Sequence, residues 1–266
     1  MIAALLGVLA ILGGTQDTPA RPIARWSLQV EAAHCALVRL SPETGSTFSI
    51  DATPGSDSYR LAIKKEGVDA SESFKPASLT FAPSQKVTTG LARVAKLPNR
   101  TVVTLMQGMP ASLLDDLSGA STVTLEAKGL KTIVPVPGAA KAVEALRKCN
   151  ADQLVEWGAD PAQFALGGTT PIALKSRDEW ISNSVLLNLA GESGRSTIND
   201  EFRLLVASDG VIAECHATAA ITEKSLEKHT CAAVVGRRLF SPAKDASGNA
   251  VVGAATFTIS LIRGPS

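Results

Sequence analysis

Short runs in which apolar and polar residues alternate are the feature that most restricts the fold of this chain. Alternation with a period of two is typical of strands that bury one face. Turn-forming stretches such as SPETGS and TPGSDS separate the runs between residues 25 and 127. The runs are RWSLQVE, HCALVRL, STFSIDA, SYRLAIKK, RTVVTLM and STVTLEA. They predict an antiparallel, β-rich N-terminal domain.

A helix is predicted to close this domain. Pro137 and Gly138 mark its start, and Ala139, Val143 and Leu146 recur at helical spacing. Farther along, the Gly- and Thr-rich stretch ALGGTTPIALKS separates two regions of regular pattern. The length of 266 residues also suits two domains. We therefore expect a β-rich domain at residues 24–160 and a second domain at 170–266.

The second region predicts the order strand, strand, helix, strand. Phe202, Leu204 and Val206 alternate with polar residues, and Asp209-Gly210 is a tight-turn signal between two strands. The closing strand lies in VVGAATFTISLI. A helix is expected to begin near Thr222, and the residues of its buried stripe are Cys231, Val234, Val235 and Leu239. The whole chain is therefore predicted to be an α+β protein, a helix-closed antiparallel domain followed by a small β-β-α-β domain.

The N-terminus, MIAALLGVLAILGG, is an uncharged apolar run followed by a polar stretch. As a helix it would cover about 20 Å, which is short of the ~30 Å hydrocarbon core of a bilayer. Residues 1–20 are therefore expected to be a signal peptide that directs the chain to the periplasm, with cleavage after Gly14 or Ala20. The alternatives are an inner-membrane anchor and a buried N-terminal helix.

The chain has four cysteines, at positions 35, 149, 215 and 231. An even count in an exported chain favours two disulfides, and three pairings are possible. The pairing that respects two domains joins Cys35 to Cys149 and Cys215 to Cys231. Free buried thiols remain the alternative, together with a metal site.

A metal site would have to be built from Cys215, His216, His229 and Cys231. Adjacent strand residues face opposite sides, and helical residues two positions apart do not share a face. Zinc prefers three or four protein ligands that converge on one point. The spacing therefore disfavours metal, and the two histidines are expected to be surface residues.

The composition and motifs exclude several function classes. The 26 basic and 25 acidic residues give a net charge of +1, and aromatic residues make up 4% of the chain. Neither nucleic acid nor anionic lipid is expected as a direct partner. No phosphate loop or dinucleotide fingerprint is present, so we expect no cofactor and no small-molecule substrate. AGESGRS lacks the second glycine of a serine elbow at Ser193, and IDATPG is not an aspartic-protease triplet. The chain is therefore not expected to be an enzyme, and an unrecognised hydrolase stays an alternative.

The stretch from about residue 200 to 262 resembles the C-terminal domain of TonB-type energy transducers in its cysteine-containing form. The residues that carry the resemblance are the DG hairpin, the helix running into GRRLFSPAKD, the following glycine turn and the closing amphipathic strand. The N-terminal half bears a weaker resemblance to secreted, β-rich envelope proteins of the invasion-associated type.

The resemblance implies an envelope or outer-membrane transporter protein as partner, bound by strand addition to the sheet edge. An edge strand offers unpaired backbone donors and acceptors, so it can bind an extended segment without catalytic residues. The long proline-rich spacer of full transducers is not found, since the 14 prolines are scattered. Partner binding is therefore expected rather than force transduction, and a structural or stress-related envelope protein is the alternative. The edge residues expected to bind the partner are Thr256, Phe257, Thr258, Ile259 and Ser260.

Overall fold

The computed structural model describes residues 24–68, 73–193, 197–219 and 222–262. Antiparallel strands are the main element, and a few helices pack against them. The expected α+β class is therefore correct in its coarse form. The segment expected to direct export, residues 1–20, lies outside the described residues.

Nine antiparallel strands form one large sheet within the described residues. They are β1 (Arg25–Glu31), β2 (His34–Ser41), β3 (Ser46–Ala52), β4 (Ser58–Lys65), β5 (Ser73–Ala82), β6 (Lys86–Leu97), β7 (Thr101–Pro110), β8 (Thr122–Ala127) and β9 (Leu130–Pro135). Their order across the sheet is β1-β2-β3-β4-β7-β6-β5-β8-β9. The six alternating runs start within one residue of β1, β2, β3, β4, β7 and β8, so these strands are predicted by their pattern.

Two helices accompany the large sheet, α1 (Leu113–Ser118) and α2 (Ala139–Glu156). The predicted helix is α2, and it packs Val143 and Leu146 into the core of the sheet. Its Cys149 forms a disulfide with Cys35 of β2, with an S–S distance of 2.05 Å. Among the described residues, no helix combines the length and the apolar character needed to cross a bilayer.

The rest of the chain forms a smaller unit around a three-stranded sheet. Its elements are β10 (Ile172–Ala173), α3 (Asn183–Ser193), β11 (Thr197–Val206), β12 (Ile212–Ala217), α4 (Lys224–Val234), β13 (Phe240–Ser241), β14 (Ala243–Lys244), β15 (Ala250–Val251) and β16 (Gly253–Ile262). β11 lies between β12 and β16, and both pairs are antiparallel. The short strands pair as β10 with β13 and β14 with β15. The predicted order strand, strand, helix, strand corresponds to β11, β12, α4 and β16.

The helix α4 is shorter than the pattern predicted. It ends at Val234, so Val235 and Leu239 do not belong to its stripe. The prediction was wrong here because Val235 takes an extended conformation and Gly236 has a φ of +79°. The chain then turns back, and Arg237 donates to the carbonyl of Ala233 at 2.7 Å. Such a cation at a helix C-terminus complements the helix dipole.

Four aromatic rings form the centre of the small core. Trp180 lies 5.1 Å from Phe240 and 5.6 Å from Phe257, measured between ring centroids. Phe257 also stacks on Phe202 at 5.4 Å. These separations are those of favourable aromatic pairs. The disulfide between Cys215 and Cys231 joins β12 to α4 at the side of this core.

The two sheets have separate cores and touch each other through one face of the small sheet. Ala254 of β16 packs against Leu154 and Ala159, which lie at and after the end of α2. On the same face, the Arg203 guanidinium lies 5.7 Å from the ring centroid of Trp157. The large sheet's helix and the segment after it therefore cover part of the small sheet's second face.

Candidate functional site

The strand β16 lies at the edge of the small sheet, and within the described residues β11 is its single neighbour. Phe257 and Ile259 are buried in the small core, whereas Thr258 and Ser260 are exposed on the opposite face. Thr256 shares that opposite face but is only 2% exposed. The predicted edge residues therefore divide into two core side chains, one covered threonine and two accessible positions.

The loop of residues 53–57 covers the edge at Thr256. The Thr256 N–H donates to the carbonyl of Gly55 at 3.1 Å. A glycine is required because the loop backbone touches the strand backbone, and a Cβ on Gly55 would lie 2.8 Å from the Cα of Ala255. Arg177 holds the loop through an ion pair with Asp57 at 2.7 Å. The first position of the edge is therefore already paired within the molecule.

The backbone groups of every second residue after Thr256 also point away from β11. In an antiparallel strand, every second residue points its N–H and C=O to the same side. Since the Thr256 amide faces away from β11, the backbone groups of Thr258 and Ser260 also face away from it. Those of Phe257 and Ile259 face β11. Thr258 and Ser260 thus combine outward backbone groups with exposed side chains.

A polar cleft of about 200 Å³ opens beside this edge, between the small sheet and the large sheet. Its walls come from β3, β4 and β7 on one side and from β11 and β16 on the other. The residues that matter for its chemistry are Asp51, Arg60, Gln107, Glu201, Thr258 and Ser260. Both sheets therefore contribute polar side chains to one space.

A histidine joins the two sheets at the wall of the cleft. His34 Nδ1 lies 3.4 Å from Asp51 Oδ1, and its Nε2 lies 3.6 Å from Glu201 Oε2. The Thr53 hydroxyl donates to the Glu201 carboxylate at 3.0 Å. Arg60 pairs with the other oxygen of Asp51 at 3.0 Å. Four charged groups therefore alternate in sign across the junction.

These contacts change the acidity of two groups. The hydrogen bond to Asp51 raises the pKa of His34; burial opposes this effect, and the Glu201 carboxylate adds to it. For Asp51, burial acts to raise the pKa, but the His34 hydrogen bond and the Arg60 charge outweigh it and lower the value. The cluster therefore favours a protonated His34 between two carboxylates.

The geometry suits charge pairing better than nucleophilic chemistry. A hydroxyl nucleophile and an orienting carboxylate must bond to opposite nitrogens of the histidine. The Thr53 hydroxyl lies 3.3 Å from His34 Nδ1, and Glu201 faces the opposite nitrogen, so this condition alone is met. However, the Thr53 hydroxyl donates its proton to the Glu201 carboxylate, so His34 is not placed to accept that proton.

Replacing His34 with glutamine is expected to remove a pH dependence of stability. Because folding raises the pKa of His34 above its ordinary value of 6.5, the stability that His34 contributes is fully present below pH 6.5. It is lost as the pH rises through the higher pKa of the folded state. In urea unfolding, the free energy of unfolding of the wild type should fall by about 1 kcal/mol between roughly pH 6 and pH 8. The free energy of unfolding of His34→Gln should change less over the same range. Equal pH dependence in both proteins would contradict the assigned role of His34.

Both disulfides of the preferred pairing are present. Disulfides persist in oxidising compartments, so they indicate an extracytoplasmic location. The His216 side chain is 50% exposed, and His229 is also exposed, as expected. In the described part of the chain, no three histidine, cysteine or acidic side chains are arranged so that they could hold a metal ion.

The cluster around His34 is not predicted by the sequence pattern. The four charged groups come from β2, β3, β4 and β11, so no short motif contains them. The one local signal is the stretch IDATPG, which supplies Asp51, Thr53 and Gly55 to the site. No protein-family model matches the chain, and no curated protein matches it at a significant level. The resemblance to TonB-type domains therefore stays a prediction.

Proposed function

We propose that this chain is an exported periplasmic protein that binds an extended segment of an envelope partner, such as an outer-membrane transporter. The segment adds as a strand to the outer edge of β16. The observation that carries the proposal is the combination at Thr258 and Ser260 of outward backbone groups and an adjoining open cleft. Both disulfides support the extracytoplasmic part of the proposal.

Backbone pairing supplies the affinity in this arrangement. An added strand exchanges N–H and C=O bonds with every second residue of the edge, whatever its own sequence. The bond from Thr256 to Gly55 limits how far the added strand can extend along β16. The incoming strand therefore pairs from Thr258 onward.

The cleft supplies the selectivity. Side chains of the added strand that point toward the large sheet meet Asp51, Arg60 and Glu201. Carboxylates and a guanidinium in a confined space favour a segment with polar or charged residues at alternate positions. An apolar segment would remove water from these groups without replacing its hydrogen bonds, which costs free energy.

Replacing Thr258 with proline is expected to weaken partner binding about tenfold or more while the small sheet stays folded. Proline removes a donor that faces away from β11, and edge positions tolerate this change. The measurement is photo-crosslinking in cells, with a photoreactive residue at Ser260. The control carries the photoreactive residue at Lys131, in β9 of the large sheet. We expect an envelope protein to be captured from Ser260 and not from Lys131.

The matched control is Thr258→Val, which keeps the N–H and the β-branched shape. It should crosslink as the wild type does, whereas Thr258→Pro should not. An adduct that forms equally from both positions, or that survives the proline, would contradict strand addition at β16. A complete lack of adducts would favour the alternative of a structural envelope protein.

A further inference from the structure

The first strand of the large sheet is a second unprotected edge. Within the described residues, β1 pairs with β2 alone. Val30 is 62% exposed and Leu28 is 37% exposed, although both side chains point to the inner face of the sheet, beside the buried Cys35 and Leu37 of β2. Proteins normally protect such edges with charges, prolines or a covering element. β1 has charged residues only at its two ends, Arg25 and Glu31.

A groove of about 600 Å³ lies between β1 and α2. Leu28 and Val30 form one wall, and Ala145 and Cys149 form part of the other. The inner face of the sheet thus continues past the covered core into a groove with an apolar floor, bordered by the polar side chains Lys148, Asp152 and Glu156 of α2. One more strand beside β1 would place its inner side chains in this groove.

The hairpin between β1 and β2 shows which backbone groups are free. Glu31 pairs with His34 across a two-residue turn, and such a pair exchanges both hydrogen bonds. Glu31 therefore faces β2, as do the residues at every second position before it. The Ser27 hydroxyl donates to the Val38 carbonyl at 3.3 Å, which supports this assignment because it places that carbonyl on the side of β1. The residues that direct their N–H and C=O away from the sheet are Trp26, Leu28 and Val30.

We propose that β1 pairs antiparallel with β1 of a second copy of this chain, about a twofold axis at Leu28. In this register Leu28 lies opposite Leu28 of the second copy, and Trp26 lies opposite Val30. All three are residues with free backbone groups, so each contact is a hydrogen-bonded pair. The two large sheets become one continuous sheet, and each copy's Leu28 and Val30 enter the other copy's groove.

Charge complementarity selects this register and this occupant. Centred on Leu28, the pairing places Arg25 of each copy opposite Glu31 of the other, which gives two cross-strand ion pairs. If the twofold axis lay at Ser27 instead, Arg25 would be opposite Gln29. If it lay at Gln29, Arg25 would be opposite a position beyond the end of the strand. A second copy supplies both the acid and the base at the required separation. The interface is isologous, as is usual for homodimers.

The test is sedimentation velocity of the full chain across the micromolar range. We expect a concentration-dependent dimer for the wild type. Arg25→Glu and Glu31→Arg each replace two attractive pairs with two repulsive ones, and should weaken the dimer roughly tenfold to a hundredfold. The double variant Arg25→Glu/Glu31→Arg restores opposite charges and should dimerise as the wild type does. Both positions are exposed, so the fold of the monomer is not affected.

A second measurement checks the register. Opposite residues of a hydrogen-bonded pair have Cα atoms about 5.5 Å apart, within the reach of a disulfide. Leu28→Cys should therefore give a covalent dimer on a non-reducing gel, and the off-axis control Gln29→Cys should not. A monomeric wild type would overturn the proposal. So would a dimer that ignores the charge reversals, since another surface or another segment of the chain would then be responsible.

Discussion

Replacing both Cys35 and Cys149 with alanine is expected to lower the free energy of unfolding by about 4 to 5 kcal/mol. The bridge closes a loop with a sequence separation of 114 residues, so its loss frees most of the first half of the chain in the unfolded state. Both cysteines are also buried, at 0% and 7% exposure, so water does not replace the contacts that their sulfur atoms lose. The measurement is denaturant unfolding of the oxidised proteins.

The other bridge is the matched control. Cys215 and Cys231 are separated by 16 residues, and a loop of that length is worth about 3 kcal/mol. The double alanine variant at these positions should therefore lose less stability than the variant at Cys35 and Cys149. The opposite order would show that native contacts, not the length of the loop, determine the contribution of each bridge.

Replacing Gly210 with alanine should destabilise the protein by about 2 to 5 kcal/mol, from left-handed strain and overpacking together. Gly210 has a φ of +87°, and its N–H donates to the carbonyl of Ala207 in the turn between β11 and β12. A Cβ at this position would lie 2.1 Å from the carbonyl oxygen of Phe240. Since Phe240 belongs to the aromatic core, the turn cannot move away without disturbing that core.

Gly236 separates the two causes of this loss. It has a φ of +79°, and no atom lies within 4 Å of a Cβ built on it. Gly236→Ala therefore carries the conformational strain alone, which is about 1 kcal/mol. Thermal or urea unfolding of both variants gives the comparison. A loss at Gly210 no larger than that at Gly236 would refute the close approach to Phe240.

Local patterns predicted those strands that bury one clean face. β3 and β4 alternate apolar and polar residues, and their Phe48, Ile50, Leu61 and Ile63 are fully buried or nearly so. β5, β6 and β9 were not predicted. β5 contains Pro76, which argues against a strand inside a sheet, and more than half of the residues of β6 are exposed. Their places come from pairing with neighbours rather than from their own sequence.

The second face of the small sheet shows what a period of two cannot reveal. Arg203, Glu201 and Thr256 are polar, and the polar face of an alternating strand is usually solvated. Instead Arg203 lies over Trp157, Glu201 meets His34 and Thr256 is covered by the loop of residues 53–57. These contacts join residues more than a hundred positions apart or across the presumed boundary between domains. A single sequence shows the polarity of such residues but not the surface that they meet.

The position of β16 has a consequence for how the molecule is completed during synthesis. Before residues 253–262 have been made, the small sheet has only β11 and β12, with α4 beside them, and two-stranded ribbons are marginally stable in water. The same late strand supplies Phe257 to the aromatic centre and Ala254 to the contact with α2. The small sheet therefore cannot be completed until this strand is present. A protease that trims the strand would open the small sheet and at the same time remove the hydrogen bond that Thr256 donates to Gly55.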